Sequence, residues 1–118
     1  MITNPAIDHY ISKLIPPRSA LLQRLEREAA EEGIPIIQLP AAQVMRTLLS
    51  LHQPRSILEV GTAIGYSAIW LAEAAPQAGI VTMEIDQERI RRARQNFAEA
   101  GLTEQIELIV GDATAGLP

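Results

Sequence analysis

Apolar and polar positions follow one period in the first part of this chain and two alternating periods in the rest. Ile7, Tyr10, Ile11, Leu14 and Ile15 recur at the i, i+3, i+4, i+7, i+8 spacing of one helix face. Asn4 is a suitable cap for that helix, Pro5 suits its first position, and Pro16-Pro17 ends it. A second helix, capped by Ser19 and stopped by Gly33, carries Leu21, Leu22, Leu25 and Ala29, with Glu and Arg on its other side. Residues 34–39 hold a proline and are too short for a helix, so they read as an extended connector. Pro40 starts a third helix through about Leu51, with Val44, Leu48 and Leu51 on one stripe and Met45 and Leu49 beside it.

From Ser56 the pattern changes to short apolar runs alternating with helical stretches. Strands are predicted at 56–60, 80–85 and 106–110, with helices at 66–75 and 87–100 stopped by Pro76 and Gly101. Strands alternating with helices of this length imply right-handed crossovers and a parallel sheet with helices on its faces. The expected fold is therefore α/β: a partial doubly wound parallel sheet of three strands with flanking helices, preceded by an N-terminal helical segment. Residues 1–50 read as a helical cap or accessory segment, and residues 51–118 as the first half of a doubly wound domain. The first strand would then be an open edge. The chain is expected to be a fragment of a longer protein, unless another element covers that edge.

The candidate chemistry lies at the three strand ends. Glu59-Val60-Gly61-Thr62-Ala63-Ile64-Gly65 closes the first strand and opens the next helix. It departs from the G-x-G-x-x-G dinucleotide fingerprint, because Ala63 stands where the middle glycine would let a pyrophosphate approach. A carboxylate at the strand end suits a cationic ligand group, and the helix-opening N–H groups suit an anionic one. A ligand carrying both, such as an amino acid moiety, fits this turn better than a pyrophosphate. Glu84 closes the second strand, where an acid accepts hydrogen bonds from ribose hydroxyls in mononucleotide-binding folds. Asp86 behind it reads as a helix cap. Gly111-Asp112-Ala113 follows the third strand and offers an Asp and exposed backbone to an adenine edge. Arg89, Arg91, Arg92 and Arg94 crowd one helix whose inward stripe is Ile90, Ala93 and Phe97; they read as a solvated face, with an RNA-phosphate contact as the alternative.

Composition narrows the class. At 118 residues the chain is at most one domain, with 47% hydrophobic and 20% charged residues, as a globular protein has. There are no cysteines, which removes disulfides, thiolate metal sites and cysteine nucleophiles and agrees with a cytoplasmic location. No apolar stretch approaches the ~18–20 residues of a membrane span, and the N-terminus lacks the pattern of a signal peptide. A net charge of -4 argues against a strongly basic nucleic-acid surface.

The three strand ends together resemble the S-adenosylmethionine (SAM) binding half of a class I methyltransferase. Leu58-Glu59-Val60-Gly61-Thr62-Ala63-Ile64-Gly65-Tyr66-Ser67 is similar to the first motif of the metal-dependent O-methyltransferases that include the catechol and caffeoyl-CoA enzymes. Residues 11–18, Arg24-Leu25-Glu26 and Gly33-Ile34-Pro35-Ile36 further resemble the bacterial tRNA 5-hydroxyuridine methyltransferases within that family. The resemblance implies a Rossmann-like fold and methyl transfer from SAM to a hydroxyl of a tRNA hydroxyuridine or a catechol-like molecule. It implies that Glu59 and the Gly61, Ala63 and Gly65 backbone hold the methionine portion, with Ser67 on its carboxylate. It also implies that Glu84 holds the ribose, that Asp112 and Ala113 border the adenine, and that Ile37 lines the site. The family's metal-binding acids and catalytic Lys have no counterpart here, so a divalent metal such as magnesium is expected only of full-length members, and this polypeptide is expected to be inactive alone. Two other readings stand beside it: a nicotinamide- or nucleotide-binding half-domain of an oxidoreductase, and a non-catalytic module that forms a homodimer through its open edge.

Overall fold

The computed structural model describes residues 4–116; Met1 to Thr3, Leu117 and Pro118, on which the readings of the two chain ends fall, lie outside the described residues. Three helices come first: α1 (Pro5–Leu14), α2 (Ala20–Glu32) and α3 (Leu39–His52). Then β1 (Ser56–Val60), α4 (Tyr66–Ala74), β2 (Gly79–Glu84), α5 (Gln87–Glu99), β3 (Ile106–Val110) and a short α6 (Ala113–Gly116) follow. The helix starts are chemically explicit. Asn4 accepts from the Ala6 N–H, Ser19 from Leu22 and Asp86 from Arg89, each satisfying an orphan donor of a first turn. Gly33 ends α2 in the left-handed region. The second strand sits one residue earlier than expected, at 79–84 instead of 80–85. α3 continues to His52, one residue past the expected end.

The sheet has the order β1-β2-β3, all parallel, with Glu59 opposite Thr82 and Glu84 opposite Val110. Both crossovers step in the same direction, so α4 and α5 cover the same face. The core lies between that face and the helices: Ile80 and Ile106 from the strands, Ile69, Ala72, Ala93 and Phe97 from the helices. α2 adds Leu22, Leu25 and Ala29 from its outer side and is tied to α5 by ion pairs, Arg24 with Glu99 and Arg92 with Glu28 and Glu32. The opposite face of the sheet is largely bare, with Leu58 and Val60 more than half exposed.

The apolar stripe of α1 exists as read but is not buried. Ile7, Tyr10, Ile11 and Leu14 are exposed, while Asp8 and Ser12 line a cavity on the molecule's side. The stripe Val44, Leu48 and Leu51 of α3 is exposed as well; Ala42, Met45 and Leu49 make the contacts with the core instead. Periodicity identifies which residues share a face. It does not say which of two faces the rest of the chain covers.

Candidate functional site

The turn after β1 is built by backbone geometry that few sequences tolerate. The Gly61 and Thr62 N–H groups both donate to the Met83 carbonyl, at 2.9 and 3.0 Å, so the chain leaves β1 still fastened to β2. Gly61 has φ +89° and Gly65 φ +91°, the left-handed region open to glycine. A Cβ on Gly65 would lie 2.7 Å from the Phe97 ring, which packs against the turn from α5. Ala63 also has positive φ, +48°, uncommon for a residue with a side chain. Its N–H donates to Glu84 Oε1 at 2.8 Å, so the strained residue ties the first strand end to the second. Gly65 opens α4 without a side-chain cap, leaving the first N–H groups of that helix for an external acceptor.

Glu59 lies beneath this turn. Its carboxylate accepts from Ser67 Oγ, and from Thr82 Oγ1 at 2.7 Å. Thr82 commits its one proton to Glu59, so Thr62, 2.7 Å away, donates to Thr82. Burial pushes the Glu59 carboxyl above the ordinary value, and the two hydroxyl donors offset only part of that. A part-buried acid with hydroxyl donors on each oxygen is a prepared partner for a cation. Glu84, at the end of β2, is buried and has both oxygens engaged: Ala63 N–H on Oε1, Ile85 and Asp86 N–H on Oε2. Its orientation is therefore fixed by backbone, and Oε1 retains a lone pair for a hydroxyl donor. Asp112 is exposed after β3 and is held by the Thr114 side chain and N–H, which keep its carboxyl below the ordinary value.

Two cavities meet at Gly61. One, of about 200 Å³, is lined by Ile37, Gly61, Thr62, Ala63 and Ser67, with Pro35, Ile36 and Tyr66. The other, of about 320 Å³, is lined by Gly61, Glu84, Asp112 and Ala113, with Val60, Met83, Ile85, Gly111 and Thr114. Seven of the nine residues singled out in the sequence thus line one cavity or the other. Glu59 and Gly65 do not; they hold the turn from below and behind. The two sub-sites differ in character: a helix N-terminus with a hydroxyl joined to Glu59 at one end, a fixed acceptor and apolar walls at the other.

Several contributors escaped sequence reasoning. Tyr66, buried, donates its hydroxyl to Glu26 Oε2 at 2.7 Å, and Arg18 grips Glu26 through Nε at 2.9 Å and Nη2 at 2.6 Å. Burial alone would raise the Glu26 carboxyl; Arg18 and then Tyr66 hold it below the ordinary value. Tyr66 in turn is pushed up, by burial first and by Glu26 second. Buried Asn96 donates to the Ile64 carbonyl at 2.7 Å and so supports the turn from α5. Thr82 could have been found from the sequence by placing the strands in register; the Arg18–Glu26–Tyr66 chain joins a loop to two helices and leaves no periodic signal. Of the α5 arginines, Arg91 pairs with Glu88 and Arg92 with α2, which spends two of the four cations within the protein.

The chain also matches a known family. The O-methyltransferase family model matches residues 12–118. The chain belongs to this family. It is 38% identical over 116 residues to the catechol O-methyltransferase of Niastella koreensis, a match that covers 96% of this chain and 52% of that protein. The O-methyltransferase TomG of Streptomyces achromogenes, solved in complex with SAM, superposes with a TM-score of 0.83 at 34% identity, over 96% of this chain and 52% of TomG. An O-methyltransferase of Bacillus cereus in complex with SAH gives a TM-score of 0.83 at 30% identity, over 95% and 52%. The chain spans about half the length of the relatives it matches. The three parallel strands with flanking helices are therefore those of a Rossmann-like methyltransferase. The kinship does not favour the oxidoreductase reading. Among the described residues no group of three His, Asp or Glu side chains could hold a metal ion. Nor is any described helix long and apolar enough to cross a membrane.

Proposed function

We propose that this chain is the donor-binding part of a SAM-dependent O-methyltransferase. The observation that carries the reading is the meeting of two cavities at Gly61, one lined by the helix N-terminus and by Ser67, which donates to part-buried Glu59, the other beside a backbone-fixed Glu84. SAM supplies a sulfonium-bound methyl group for transfer to a nucleophilic oxygen. Its amino acid end carries an ammonium and a carboxylate, which match Glu59 and the open N–H groups of α4. Ser67, now donating to Glu59, lies between the two and can turn its hydroxyl to the carboxylate. Glu84 Oε1 accepts from the ribose, and Asp112 and Ala113 border the adenine. Ile37, from the connector, closes the methionine side and keeps water from it. These residues bind and orient the donor; none of them is assigned a proton transfer in the reaction.

For the acceptor we propose a phenolic hydroxyl of a small catechol-like molecule. The named relative is a catechol O-methyltransferase, and two of the four α5 arginines are consumed by carboxylates. A tRNA hydroxyuridine, suggested by the N-terminal resemblance, is the alternative acceptor. The site is expected to work inside the cell, where SAM is available.

Titration calorimetry with SAM and, separately, NAD tests the reading. Heat with SAM, lost in Glu59→Gln and reduced in Glu84→Gln, is expected. Heat with NAD and none with SAM would return the site to the oxidoreductase class. With SAM, magnesium and either catechol or a hydroxyuridine oligonucleotide, this polypeptide alone is expected to give no methylated product by mass spectrometry. Product with either acceptor would place the whole chemistry within these residues and would also identify the acceptor.

A further inference from the structure

Among the buried polar side chains of the described residues, two threonines meet each other. Thr62, in the turn after β1, is 1% exposed, and Thr82, on β2, is fully buried. Their hydroxyls lie 2.7 Å apart, and the Thr82 hydroxyl lies 2.7 Å from Glu59 Oε1. Parallel pairing sets Thr82 directly opposite Glu59, so both side chains stand on one face of the sheet. Valine has nearly the same shape and suits a buried strand position at least as well, while a buried hydroxyl costs free energy unless it is hydrogen-bonded. The fold alone gives no reason for a hydroxyl at 82.

Counting protons fixes the direction of the chain. An ionised carboxylate can only accept, so Thr82 donates to Glu59 and Thr62 donates to Thr82. Ser67 donates to the other oxygen, Oε2. The two donors to Glu59 differ in what else can reach them. Ser67, on α4, lines the cavity of about 200 Å³, where a ligand can claim its hydroxyl; Thr82 lines neither of the cavities that meet at Gly61. The charged groups on the neighbouring elements are engaged elsewhere. Glu84 of β2 is turned to the Ala63, Ile85 and Asp86 N–H groups, and Glu73 of α4 is drawn by Arg46 of α3. Among the described residues, the groups that favour the charged form of Glu59 are the hydroxyls of Ser67 and Thr82.

We propose that Thr82 is a positioning residue for recognition of the donor's ammonium group, acting through Glu59. This role rests on the proposed reading of the site. When the donor's carboxylate takes the Ser67 hydroxyl, Oε2 is released and accepts from the ammonium, while Thr82 stays on Oε1. Thr82 thus holds the orientation and charge of the carboxylate through an exchange in which the other donor leaves. Thr62, donating to Thr82, keeps the Thr82 proton aimed at Glu59. Without the Thr82 hydroxyl the ammonium would meet a carboxyl group that stays protonated to higher pH and is free to turn.

Thr82→Val removes the hydroxyl and keeps the shape, and Thr82→Ser restores the hydroxyl. Carbon-detected NMR titration of the ligand-free polypeptide follows the Glu59 carboxyl, assigned by its loss in Glu59→Gln. The midpoint is expected to rise by about one pH unit in Thr82→Val, or about 10-fold in proton affinity, and to stay close to the parent in Thr82→Ser. Thr82→Ala, which removes the same hydroxyl without filling its space, should shift the midpoint the same way, so a packing fault of valine is not mistaken for the effect. By calorimetry, SAM should bind Thr82→Val about 10-fold more weakly below the parent's midpoint, the deficit narrowing as pH rises above the midpoint of the variant. Thr82→Ser should bind as the parent does. Methylthioadenosine, which has the nucleoside and sulfur of SAM but neither ammonium nor carboxylate, should bind parent and variants equally. An unmoved Glu59 midpoint in Thr82→Val would overturn the inference. So would an equal loss for methylthioadenosine, which marks a collapsed site, or a loss that Thr82→Ser does not restore. If the parent binds no SAM, the proposed function falls and takes this role with it; SAM binding that Thr82→Val leaves unchanged sinks the role of Thr82 alone.

Discussion

Gly61 and Gly65 share nearly the same φ but differ in what surrounds them. Alanine at 61 would meet nothing within 4 Å and carries only the cost of the left-handed backbone, about 1–2 kcal/mol. Alanine at 65 adds a 2.7 Å collision with Phe97, and about 2–4 kcal/mol is expected. Urea unfolding of the two variants should separate them in that order; equal losses would mean that Phe97 moves aside freely. Glu59 yields a pH dependence with two opposite signs. Burial holds its folded-state pKa above the ordinary value, so the native protein keeps this proton to higher pH than the unfolded chain does. The stability tied to it is thus present below the ordinary carboxylate pKa and is lost as pH rises through the folded value. An ammonium ligand needs the ionised form, so SAM affinity should rise across that same window and level off above it. Calorimetry in buffers of different ionisation heat should show proton release on binding at the acid end. A flat profile, or unchanged affinity in Glu59→Gln, would remove Glu59 from the ammonium site.

The elements divide by how local their cause is. Caps at Asn4, Ser19 and Asp86, stops at Gly33 and Gly101, and the β1 and β3 boundaries were legible because each depends on residues within a turn of the boundary. The strand ends that carry Glu59, Glu84 and Asp112 were legible for the same reason, and parallel pairing brought them to one rim. What joins elements was not. Tyr66 and Glu26 are 40 residues apart and Arg92 and Glu28 are 64 apart, and no spacing rule connects them. The short α6 also went unread, its four residues being fewer than any helical period can mark. These joins differ in strength. Asn96→Ala leaves the buried Ile64 carbonyl without its donor and should cost about 1–3 kcal/mol. Arg92→Ala removes partly exposed ion pairs to α2 and should cost less than about 1 kcal/mol, less again in high salt. Thermal unfolding at low and high ionic strength checks both; a salt-sensitive loss at Asn96 would mean that its effect runs through the ion pairs instead.

At the scale of the whole molecule, exposed leucines and buried ones should behave as different residues. Leu25 is fully buried, between α2 and the α4–α5 layer, and its truncation to alanine opens a cavity that close packing cannot refill. A loss of about 2–5 kcal/mol is expected, a large part of the stability of a domain this size. Leu51 is 80% exposed, and its side chain leaves little apolar area to water that was not there already. Leu51→Ala should therefore change the stability of the isolated chain by no more than about 0.5 kcal/mol. The contrast tests where the core ends, because both residues lie on apolar stripes of equal regularity and sequence alone gives no reason to rank them. Paired denaturation curves decide it. If Leu51→Ala were as costly as Leu25→Ala, α3 would bury its Val44, Leu48 and Leu51 stripe within the single chain.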